Sequence, residues 1–81
     1  MSPVDFLRFI ERAESQKSLL AKILLCICGY AEAFPVEVSE LDRLSPFNRA
    51  GVYSLMGWVD WNYGFQLGEK AAQSAAAMVN P

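Results

Sequence analysis

Glu37, Glu40 and Asp42 place three carboxylates within six positions, and Asp60 stands between Trp58 and Trp61. These are the groups of the chain best suited to chemistry. Clustered carboxylates can divide acid and base roles or hold a divalent ion. A carboxylate between two indoles would be desolvated, which is one route to an acid–base catalyst. Each group also has a plainer reading. Residues 37–42 form a polar connector, where acidic side chains solvate the chain and favour helix starts. Asp60 has no second catalytic group near it in sequence, and a lone Asp on a helix edge normally faces water or a cation.

The other ingredients of catalysis are missing. The chain has no histidine, so the commonest general base, metal ligand and triad partner is absent. No glycine-rich phosphate loop with its Lys-Ser/Thr is present. Cys26 and Cys28 lie two apart. On a helix their side chains diverge and cannot bridge within the chain. With no third ligand nearby they make a poor zinc site. They read as small buried hydrophobes of a protein in the reducing cytoplasm. The expectation is a protein without catalytic residues, metal or cofactor.

Composition points to binding rather than chemistry. Hydrophobic residues make up 53% of the 81 positions, above the roughly 45–50% of ordinary globular chains. A single small domain buries only part of its apolar surface, so a surplus suggests a second copy or a partner. The formal net charge is −2, and Arg8, Arg12, Lys17, Lys22, Arg43, Arg49 and Lys70 are spread along the chain. Nucleic-acid binding draws most of its affinity from clustered cations, and none cluster here. Asp5, Glu11 and Glu14 interrupt any early apolar run, as a signal peptide would not allow. The apolar run 23–31 is too short for the ~20 residues of a membrane span.

Helical periodicity runs through most of the sequence. Ser2 is a cap, Pro3 suits the first helical position and Asp5 complements the positive helix end. Phe6, Phe9, Ile10, Ala13, Leu20, Ile23, Leu24 and Ile27 then recur at helical spacing. This predicts one helix over about 3–31, with Gln16 and Lys17 interrupting its apolar face. Beyond Lys22 the polar face ends, as for a helix covered on all sides. Pro35 stops it, "PVEV" is extended, and residues 39–44 form a short helix. Ser45 and Pro46 repeat the opening device and start a third helix. It runs to about 78, as one long kinked element or as two hinged near 62–64; the spacing favours the first.

Residues 38–59, a short helix, a turn and a longer helix, are similar in outline to helix-turn-helix proteins. That resemblance implies a transcription regulator. The turn here is Ser45-Pro46 without the usual glycine, and the second helix opens with Arg49 as its one cation. Base and phosphate readout needs more.

If the third helix is continuous, Gly57, Trp61, Gly64 and Gly68 share one face, extended by Ala72, Ala75 and Ala76. Trp58 and Phe65 border it, while Val52, Met56, Val59, Tyr63 and Leu67 fall on another face. Small residues allow close helix approach, and aromatics make strong interface anchors.

The sequence therefore predicts an all-α fold of three or four helices around a long antiparallel helical hairpin, assembled as an intertwined or side-by-side homodimer. The expected function is non-enzymatic: binding a larger protein and regulating or inhibiting it. Trp58, Trp61, Tyr63 and Phe65 are the partner-binding candidates. Leu24, Leu25, Cys26, Gly64 and Gly68 are the dimer candidates. A second reading takes Trp58, Trp61 and Tyr63 as an aromatic cage for a small molecule or nucleotide.

Overall fold

The computed structural model describes residues 1–80. They fold into five α-helices: α1 (Pro3–Arg12), α2 (Lys17–Ile27), α3 (Val38–Leu41), α4 (Pro46–Trp61) and α5 (Glu69–Val79). The all-α expectation holds. Each of the two long helices that were to form the hairpin is instead divided.

The first division falls at residues 13–16. Ser2 Oγ accepts a hydrogen bond from the Asp5 amide at 3.2 Å, and Pro3, Phe6 and Ile10 turn inward. Continuing the helix would carry polar Gln16 and Lys17 onto that inward face. The chain breaks instead: Ala13 is extended, and Gln16 is left-handed at φ 64°. The Gln16 side chain then becomes a hub. Its Nε2 donates to the Arg43 carbonyl at 2.6 Å. Its Oε1 accepts from the Ser45 amide and from Asn48 Nδ2, both at 2.9 Å. The break is thereby tied to the start of α4, and Lys17 Nζ caps the Glu11 carbonyl of α1 at 3.1 Å.

α2 is the centre of the fold. Leu20, Ala21, Ile23, Leu24 and Leu25 are all buried, covered by α1, α4 and α5. Its end is a Schellman-type stop in which the Tyr30 amide donates to the Leu25 carbonyl at 2.9 Å. Gly29 there has φ 106°, and a Cβ on it would meet Gln66 Cγ at 3.1 Å. α3 is a single turn held to α2 by Lys22–Glu40, 2.9 Å apart.

The second division falls at residues 62–68. Gly57, Gly64 and Gly68 each cost about 1 kcal/mol within a helix, and Asn62 can satisfy the last carbonyls. Asn62 Nδ2 donates to the Trp58 carbonyl at 2.8 Å, and its amide reaches Trp58 and Val59. Gly64 then takes φ 85° and turns the chain back. The alternative of two helices hinged near 62–64 is therefore what forms. The returning segment is pinned just past the end of α2: the Leu67 amide donates to the Cys28 carbonyl at 3.1 Å, and Tyr30 Oη donates to the Leu67 carbonyl at 2.9 Å. α5 then lies against α2 through small residues, with Ala72 and Ala75 buried. Its far end is held where the Ser18 hydroxyl donates to the Val79 carbonyl at 3.0 Å.

Candidate functional site: the outer face of α4

Ser45 Oγ accepts from the Asn48 amide at 3.2 Å and, with Pro46, starts α4. One face of the helix points inward through Asn48, Gly51, Val52 and Leu55. Gly51 is required there, because a Cβ would approach Phe9 Cζ to 2.7 Å. The opposite face meets solvent and is also largely apolar. Ala50, Tyr53, Gly57 and Trp61 follow one another at helical spacing, with Met56 beside them and Phe47 at the start. Phe47 is 74% exposed, Tyr53 59%, Met56 40% and Trp61 90%; Tyr63, in the turn that follows, is 99% exposed. The Cα radius of gyration is 11.3 Å, close to the ~12 Å expected for this length. The exposed rings are therefore not the result of an expanded chain.

The patch adjoins two aromatic contacts. Phe6, fully buried, stacks on Phe9 at 5.5 Å, and Phe9 stacks on Phe47 at 5.6 Å. At the other end Trp58 is half-buried, and its ring meets Phe65 edge-on at 5.1 Å and 88°. The face carries few charges. Of the two charged side chains of α4, Arg49 Nη2 donates to the Asp42 and Leu44 carbonyls at 3.0 and 3.3 Å, which leaves Asp60. Above Tyr53 lies Ser54, whose carbonyl and Oγ accept from the Met1 nitrogen at 3.3 and 2.9 Å.

The four partner-binding candidates thus separate into two kinds. Trp61 and Tyr63 project freely. Trp58 and Phe65 form the packed pair beneath. They do not close into a cage, since the first two rings are almost wholly in water.

The dimer candidates need correction. Leu24 and Leu25 are fully buried under helices of their own chain, so neither can meet a second copy. α5 folds back through the 62–68 turn and supplies the cover that was assigned to another chain. Cys26 is partly buried. Gly64 and Gly68 do not line a helix face: one supplies the positive φ of the turn, and the other is the N-cap of α5. The small-residue stripe therefore ends with the helix at Trp61. Ala72 and Ala75 belong to the core.

The chemical candidates are also located. Asp60 is exposed and is not wedged between the indoles. Glu40 is paired with Lys22, apart from any catalytic grouping. Among the described residues no three or more His, Cys, Asp or Glu gather into a possible metal site, and no helix is long and apolar enough to cross a membrane. Cys28 is buried, and desolvation pushes its thiol up to about 11, so it is a protonated, unreactive group.

Sequence reasoning missed Phe47, Ala50, Tyr53 and Met56 as members of one exposed face. Their spacing with Gly57 and Trp61 was the available signal. It was obscured because the glycine stripe was extended past residue 61. Comparison with family models, curated proteins and solved structures finds no match for the chain.

Proposed function

We propose that the protein is a non-enzymatic helical interaction module. It binds a larger protein through the outer face of α4 and regulates or inhibits that protein. The observation that carries this reading is the nearly complete exposure of Trp61 and Tyr63 at the end of a firmly seated helix. Apolar area in water is unfavourable by about 25 cal/mol per Å², and an aromatic ring has only two side-chain torsions to fix on binding. Such side chains are the usual energetic centres of protein interfaces. The free thiols of Cys26 and Cys28 suit a cytoplasmic protein.

The test is affinity capture from the native host with the wild-type chain and with Trp61→Ala. The proposal expects a protein retained by the first and lost by the second. Equal recovery by both would remove Trp61 from the interface and with it this reading.

A further inference from the structure

We infer that, in the free protein, the outer face of α4 is covered by a second copy of this chain, in an antiparallel α4–α4 pair centred on Gly57. The inference rests on the reading of this face as a docking surface and names its occupant.

The first argument is self-complementarity. A two-fold axis through Gly57 sets residue 57 + k of one copy opposite 57 − k of the other. Trp61 then falls opposite Tyr53, twice by symmetry, so the largest exposed rings of the helix meet each other. The space needed at the axis exists: a Cβ built on Gly57 meets nothing within 4 Å. With hydrogen alone at that position, two helices can approach closely.

Charge selects the direction. Asp60 is the charged side chain this face keeps free. A parallel pair would set Asp60 against its twin. The antiparallel pair sets it opposite Ser54, where the Met1 ammonium lies 2.9 Å from Oγ and offers the carboxylate an opposite charge. The two Asp60 positions are then six residues apart along the axis, about 9 Å, close to a Debye length.

The area fits a weak dimer. A fully exposed aromatic presents roughly 150–250 Å². With the exposures given above, Tyr53, Met56, Trp61 and Tyr63 offer on the order of 500 Å². Ser54, Gly57 and Asp60 add to it. A stable interface buries about 800 Å² per partner. The same face would then serve both copy and target, so target binding competes with self-association.

Sedimentation equilibrium tests this directly. The full chain is expected to reach twice its 9.0 kDa mass at high micromolar concentration. Gly57→Glu, which adds like charges at the axis without an internal clash, is expected to weaken association at least tenfold, about 1.4 kcal/mol, with unchanged helical circular dichroism. In a Cys26→Ser background, G57C is expected to cross-link between chains under copper-phenanthroline oxidation, because the axis brings the two Cα atoms within the roughly 4.4–6.8 Å a disulfide needs. A wild-type chain that stays monomeric overturns the inference. So does a dimer that neither weakens with G57E nor cross-links through G57C. A monomer whose target capture still depends on Trp61 overturns the dimer alone. Capture that is indifferent to Trp61 overturns the docking reading.

Discussion

The indole of Trp58 and the ring of Phe65 meet edge-on, 5.1 Å apart, across the end of α4. Phe65 reaches Trp58 only because the chain reverses at Gly64. This contact fixes the turn that carries Tyr63 and leaves Trp61, three residues on from Trp58, pointing into solvent. A double-mutant cycle of Trp58→Ala and Phe65→Ala should give a coupling of about 0.5–1.5 kcal/mol in urea unfolding, the range for aromatic pairs. Additive effects would mean that the rings do not interact.

Two glycines in this region should respond in opposite directions. Gly57 is inside α4 with open space around it in the single chain, so at dilutions where the chain is monomeric Gly57→Ala should stabilise the fold by up to about 1 kcal/mol. Gly64 has φ 85°, so Gly64→Ala should destabilise it by about 1–2 kcal/mol. Paired denaturant titrations check the sign of each.

Gln16 is the hub of the α1–α2 break. Gln16→Ala removes three hydrogen bonds and leaves the buried Asn48 amide one partner, the Ser15 carbonyl at 3.3 Å. It retains an unfavourable left-handed backbone. The expected loss is about 2–3 kcal/mol. Gln16→Gly relieves the backbone and should lose less than Gln16→Ala, which equilibrium unfolding would resolve.

Cys28 gives the fold an alkaline limit. Burial raises its thiol from 9.0 to about 11, so the folded state favours the protonated form. The associated stability is complete below the unfolded value and disappears as pH rises through the folded one. Between about pH 9 and 11 the loss should approach 2–3 kcal/mol. Cys28→Ala should flatten that part of the profile; an unchanged slope would assign it to other groups.

Local signals were the legible part of this fold. Ser2-Pro3 and Ser45-Pro46 cap the helices that they announce, because a cap acts within one turn. Gln16 was visible as an interruption of the apolar face. Its bonds to residues 43–48 were not, since they join segments about thirty positions apart. The burial of Leu24 and Leu25 was misassigned for a similar reason. It depends on α5 returning over α2, which depends on the turn at Gly64. A helix continuous past Trp61 would give Gly64 and Gly68 a face that they do not have. Of the four aromatics that the sequence offers as anchors, Trp61 and Tyr63 are exposed while Trp58 and Phe65 are packed, and Phe47 and Tyr53 are not among the four. Their exposure is settled by which side of α4 meets Phe9 and α2.

The central claim is that Trp61 anchors a protein interface. Because it is 90% exposed in the single chain, Trp61→Ala should change the folding stability of the monomer by no more than about 0.5 kcal/mol. The most direct measurement is quantitative capture from the native host by wild-type and Trp61→Ala chains of matched stability. The account predicts a stoichiometric protein partner whose recovery falls at least tenfold with the variant, a loss of about 1.4 kcal/mol or more. Undiminished recovery of the same partner by Trp61→Ala would contradict it.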